Sequence, residues 1–145
     1  YVKPVLGLME QVEIRGMAHI TGGGFYENIP RIFGAETGGV RLDPVIREGS
    51  WNIPPIFSRI AAGIAEAGGP GGAEAQRRGA ELLKSDPALR KTMFNTFNMG
   101  IGFVLALARE DAGKAIDYLD GKGFPAWEIG RAAPAGAQIP ALRFE

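Results

Sequence analysis

Chemistry in this sequence concentrates first at His19-Ile20-Thr21-Gly22-Gly23-Gly24. Three glycines between an apolar run and a helix can turn their N–H groups towards one point, because no Cβ blocks the backbone angles required. The positive end of the following helix adds to this, so the place suits a phosphate. Thr21 can donate a hydroxyl, and Arg31 can pair bidentately with an anion. His19 stands two residues before Thr21, and strand alternation puts both side chains on one face. A plain turn accounts for the same three glycines, and a satisfied core residue accounts for a lone histidine. The spacing is neither G-x-G-x-x-G nor a P-loop.

A second concentration is Phe94-Asn95-Thr96-Phe97-Asn98-Met99-Gly100-Ile101-Gly102. Asn98 falls at the mouth of an apolar strand, beside glycines that permit close backbone approach. It reads either as a ligand amide or as a turn residue. Phe94, Phe97 and Phe103 read as core. Glu10, Glu13, Glu110 and Asp111 read as solvated helix positions or caps, and Arg77 and Arg78 as solvated. Trp51 and Trp127 read as packing against the core and serve mainly as fluorescence probes.

Composition removes other chemistries. With no cysteine there is no disulfide, thiolate metal site or cysteine nucleophile, and a single histidine excludes a histidine metal cluster. None of the three serines sits in a nucleophile elbow. Sixteen basic side chains balance sixteen acidic ones, which gives no electrostatic footprint for nucleic acid or a membrane surface. The longest apolar run, Met99 to Ala108, is about half of a membrane span. A length of 145 residues makes one domain with a real core. The 22 glycines and 10 prolines exceed the usual share of about 12% and need a structural reason.

The elements that must position these residues follow from periodicity. Val2, Val5, Leu6, Met9 and Val12 mark a helix that Gly16 closes. Met17 to Thr21 reads as a buried strand, and Phe25 to Phe33 as a short helix. Val40 and Leu42 alternate with Arg41 and Asp43, giving a strand with one wet face. Asn52 is a candidate N-cap for a helix carrying Ile53, Phe57, Ile60, Ala61 and Ile64. Ala67 to about Gly79 reads as a mobile loop or insertion, since little there can be buried. Ser85 before Asp86-Pro87 starts a new helix towards Met93. Met99 to Ala108 carries no charge on either face and is expected as a central strand covered on both sides. Asp111 caps a helix through Ala112, Ala115, Ile116 and Leu119, closed by Gly121. Two strands, about Ala126 to Arg131 and Ile139 to Phe144, finish the chain, with Pro140 confining the last to an edge or bulge. This order predicts an α+β fold: a sandwich with a mixed sheet, helices on its faces, and a partly ferredoxin-like second half.

The run Ala18-His19-Ile20-Thr21-Gly22-Gly23-Gly24-Phe25 with Glu27-Asn28-Ile29-Pro30-Arg31 resembles the signature of phosphoribosylformylglycinamidine cyclo-ligases, the AIR synthetases. Thr96 to Gly102 is similar to that family's second C-terminal signature, Tyr1 to Leu6 to the start of its C-terminal domain, and Trp51 with Pro55-Ile56-Phe57 to the intervening helix. The resemblance spans nearly the whole chain except about 67–91, where a Gly-Ala-Arg stretch replaces a shorter acidic link. Thr92 stands where relatives often carry glutamate, which puts in doubt a role for an acid there, including in metal binding.

The resemblance implies a three-layer α/β/α sandwich and a cytoplasmic enzyme of purine biosynthesis. Its reaction takes formylglycinamidine ribonucleotide (FGAM) and ATP to aminoimidazole ribonucleotide, ADP and phosphate. Phosphorylation turns a poor amide leaving group into a good one, commonly with Mg²⁺. The family's N-terminal domain supplies most of the ATP and Mg²⁺ site and the homodimer contacts. The chain opens at Tyr1, so it is expected as the C-terminal half, a partner for that domain and inactive alone. Thr21, Gly22, Gly23, Gly24, Asn28, Arg31 and Gly100 are then expected to hold an anionic group of substrate or nucleotide, with no metal ligand among them. His19, as acid or base, and Asn98 are expected to face the reacting centre. The alternatives are another ATP-dependent synthetase or kinase half of the same superfamily, a piece of a multifunctional fusion, and a non-catalytic docking module.

Overall fold

The computed structural model describes residues 1–33, 42–66, 71–135 and 142–145. The element order is α1 (Val2–Met9), β1 (Ile14–His19), α2 (Gly24–Asn28), β2 (Leu42–Ile46), α3 (Pro55–Ala65), α4 (Gly72–Ser85), α5 (Pro87–Thr96), β3 (Phe103–Leu107), α6 (Ala112–Gly121), β4 (Gly130–Pro134) and β5 (Arg143–Phe144). This is an α+β chain. Short 3₁₀ turns at Pro30–Phe33 and Arg109–Asp111 follow α2 and precede α6. No helix among the described residues is long and apolar enough to cross a membrane.

Two sheets are described. β1 pairs antiparallel with β3, setting His19 opposite Phe103 and Met17 opposite Leu105. β2 pairs antiparallel with β4 and parallel with β5, a mixed sheet in the order β4-β2-β5. The large apolar core joins Ala18 of β1 and Ile20 just beyond it to Phe25, Ile46, Trp51, Met93 and Met99. A smaller cluster of Leu8, Val12 and Ala115 packs α1 and α6 against Leu105 and Leu107. The alternation expected along the Met99 strand therefore holds over β3: Leu105 and Leu107 serve the small cluster and Val104 the large one.

Several expectations are corrected. Gly16 does not close the first helix; α1 ends at Met9, and Gly16 lies inside β1 after an irregularity at Ile14–Gly16, where Ile32 crowds its face. β1 is not fully buried, for Met17 is 46% exposed. The strand expected from Met99 begins only at Phe103, because Met99 and Gly100 take positive φ angles of 48° and 97° and form a turn. Among the described residues β3 pairs with β1 alone, so a central position with neighbours on both edges is not what they display.

Asp43 does not face water; it is 2% exposed, with Arg143 Nε 3.6 Å from its carboxylate. Pro54 rather than Asn52 caps α3, since Pro55 supplies the preset φ of a first helical turn. Trp127 is 39% exposed rather than packed in. β4 starts at Gly130 and β5 is only two residues long. Val40, Arg41, Ile139 and Pro140 fall outside the described residues, as do 67–70.

The largest correction is α4, where a loop was expected. Ala75, Gly79 and Leu83 recur at helical spacing and are buried, while good helix formers fill the rest of the element. The contact with α3 is backbone against backbone: a Cβ on Gly79 would lie on the carbonyl of Ser58.

Candidate functional site

The glycine turn is built from inside. Gly23 and Gly24 have φ angles of 88° and 51°, and a Cβ on Gly24 would collide with the Phe94 carbonyl, so α2 starts hard against α5. The Gly24 N–H is spent on the Thr21 carbonyl at 3.0 Å, and the Gly23 carbonyl accepts from Glu27 N–H at 3.1 Å. Among the described residues the N–H groups of Gly22 and Gly23 have no acceptor, and Gly22 is exposed.

Asn28 is 5% exposed and wholly engaged. Its Nδ2 donates to the carbonyls of Gly24 at 2.8 Å and Gly22 at 3.2 Å, and its Oδ1 accepts from Arg31 at 3.2 Å. Drawing the Gly22 carbonyl onto Asn28 turns the N–H of the same trans peptide, that of Gly23, the opposite way. Arg31 keeps a mostly exposed side chain and lies 3.9 Å from the Glu27 carboxylate.

The second motif meets the first. Thr21 and Asn98 line one cleft of about 270 Å³ together with Ile20, Phe57, Thr96 and Phe97. Asn98 Oδ1 accepts the Gly100 N–H at 3.1 Å, and its backbone carbonyl accepts from Ile101 at 2.8 Å. Its Nδ2 has no partner among the described residues and is the polar group it can offer in the cleft. Gly100 permits a tight turn under Pro54; its N–H is already used.

His19 stands apart from that cleft. It is exposed, its ring 5.8 Å from Tyr1 and 6.0 Å from Phe103. The turn and cleft thus gather Thr21, Gly22, Gly23 and Asn98, with Arg31 at the rim of α2. Asn28, Gly24 and Gly100 act through the backbone they hold. Among the described residues no three His, Cys, Asp or Glu side chains cluster to hold a metal ion. Residue spacing alone pointed to neither Phe57 as a wall of the cleft nor Trp51 as the donor to the Met99 carbonyl. The one available signal is that a buried tryptophan N–H requires an acceptor.

Fold and site define an α+β domain with a built glycine turn beside a polar-lipped cleft. The family described as AIR synthase related protein, C-terminal domain, matches residues 1–140, and the chain belongs to it. It is similar to proteins named phosphoribosylformylglycinamidine cyclo-ligase: 40% identical to that of Clostridium novyi over 94% of this chain and 33% of the relative. The Bacillus licheniformis relative is 45% identical over 90% of this chain and 30% of its own length. For Myxococcus xanthus the figures are 37%, 98% and 33%. The chain spans about a third of the length of these relatives.

Proposed function

We propose that this chain is the C-terminal, substrate-side part of an ATP-dependent cyclo-ligase that converts FGAM to aminoimidazole ribonucleotide. The observation that carries the reading is the meeting of Thr21 and Asn98, one from each motif, in a single cleft beside the glycine turn. Gly22 and Gly23 N–H groups, the Thr21 hydroxyl and Arg31 bind an anionic group of substrate or nucleotide. Asn98 Nδ2 orients the reacting amide, and Asn28, Gly24 and Gly100 hold the loops in place. His19 serves as acid or base if a further domain carries the reacting centre over the β1 face.

ATP, when bound, supplies the phosphoryl group that makes the formyl oxygen a leaving group, with ADP and phosphate as co-products. The donors in this chain suit a phosphate. They do not suit Mg²⁺, so no step is assigned to the metal here, and most of the ATP and Mg²⁺ contacts go to an N-terminal domain of the same polypeptide. Val2, Leu6, Met9 and Met17, all exposed, support the docking of such a domain on α1 and β1. On this reading the chain alone is inactive, and the whole enzyme is a cytoplasmic homodimer without nucleic-acid or membrane partners. The complete domain is a three-layer α/β/α sandwich with a ferredoxin-like second half.

The test is to titrate the ¹⁵N-labelled chain with FGAM and separately with ATP. Shifts with FGAM at Gly22, Gly23 and the Asn98 side-chain amide support the reading. If these resonances stay still with both ligands, also after adding the remaining two thirds of a relative, the reading fails.

A further inference from the structure

Trp51 bonds to the Asn98–Gly100 loop and packs on Phe25, the residue that follows the glycine turn. Its indole Nε1–H donates to the Met99 carbonyl at 2.9 Å in a buried contact. Met99 is fully buried, and it alone among the described non-glycine residues has a positive φ, 48°. L side chains rarely adopt that conformation, and it persists only where the surroundings over-determine it. The peptide so held lies between Asn98, which lines the cleft, and Gly100, whose N–H the Asn98 side chain caps. The same ring packs on Phe25, centroids 5.6 Å apart, one residue beyond the glycine turn. Phe94 closes the group, 6.2 Å from Trp51 and 5.2 Å from Phe25, and its carbonyl is the surface on which Gly24 rests.

We propose that Trp51 is a positioning residue for this site. Its N–H holds the left-handed Met99 peptide and so aims Asn98 into the cleft, while its ring fixes Phe25 and the Gly22–Gly24 turn, making the two loops one unit. This rests on the cleft being the ligand site, but the geometry is testable without a ligand. Trp51→Phe keeps an aromatic ring and removes the donor. In the folded variant the Asn98 side-chain amide and the Met99, Gly100 and Ile101 backbone amides should shift, with Gly100 N–H exchanging at least tenfold faster. Smaller shifts should reach Gly22 and Gly23.

Leu89→Ala, a change in the same core away from both loops, is the control for loss of packing alone and should leave the Asn98 and Gly100 signals in place. Unchanged Asn98 and Gly100 resonances in folded Trp51→Phe overturn the proposal, as does a Leu89→Ala spectrum that moves them equally. If Trp51→Phe does not fold, the unmodified chain decides: a protected indole proton with a measurable coupling across to the Met99 carbonyl carbon supports the proposal, and an indole exchanging at the free rate overturns it. Asn98 shifts in Trp51→Phe without FGAM binding to any form would leave the positioning role standing and remove the substrate reading. FGAM binding with Asn98 unmoved in the variant would do the reverse.

Discussion

Asn28 grips Gly24 from within α2: its Nδ2 lies 2.8 Å from the Gly24 carbonyl, and the side chain is buried. The same amide reaches Gly22 and accepts from Arg31, so one residue determines the shape of the turn. Asn28→Asp removes the donor while keeping the size, and Asn28→Ala removes everything. Each should cost about 1–3 kcal/mol, because buried polar groups are left unpaired. Urea unfolding, read as a shift in midpoint at constant slope, checks this.

The glycines of the triplet are not equivalent. A Cβ on Gly22 meets nothing within 4 Å, whereas on Gly24 it runs into the Phe94 backbone at a φ of 51°. Gly22→Ala should therefore stay within about 0.5 kcal/mol of the parent. Gly24→Ala should lose roughly 1–3 kcal/mol from overpacking and backbone strain. Thermal unfolding of the pair distinguishes a built turn from a merely flexible one.

Helix α5 begins on Asp86, whose carboxylate accepts the Ala88 and Leu89 N–H groups at 2.9 and 3.0 Å. Asp86→Ala should lower stability by about 1 kcal/mol, and Asp86→Asn, which keeps an acceptor, by less. Denaturant midpoints of the two variants give the comparison.

Burial pushes the Tyr26 phenol above its ordinary value, with Glu48 adding to the shift and Arg90 opposing it. The fold thus favours the neutral phenol, while the unfolded chain ionises it near pH ~10. Above that pH the native state holds more protons than the unfolded state, so stability is complete below pH ~10 and declines as pH rises towards the folded value. Tyr26→Phe should lose less stability than the parent between pH 9 and 11, roughly, when urea midpoints are compared across that window.

Much of the element order was legible because periodicity reports burial directly. α1, α6 and the alternation within β3 follow from it, while the start of α5 follows from the Ser85-Asp86-Pro87 signal, with Asp86 as the cap. The errors have physical causes of their own. The Met99 run looked like a continuous strand because hydropathy does not register a left-handed peptide, and the donor to its carbonyl, Trp51, is 48 positions away. Asp43 looked wet because its partner, Arg143, comes from the other end of the chain. The two site motifs were visible as local patterns. That Thr21 and Asn98 share a cleft is a tertiary fact, as is the internal engagement of Asn28.

The glycine inside α4 takes on a different meaning beside Ser58. Residues 72–85, with their alanines, glutamates and arginines, look like a stretch in which substitutions would pass unnoticed. Gly79 instead sits where one methyl group would wedge α3 and α4 apart. In a saturation mutagenesis profile this helix should read as tolerant along its exposed face, with notches at the buried positions 75, 79 and 83 and the deepest at 79. A designer trimming the segment as filler would remove the point at which the two helices are fastened.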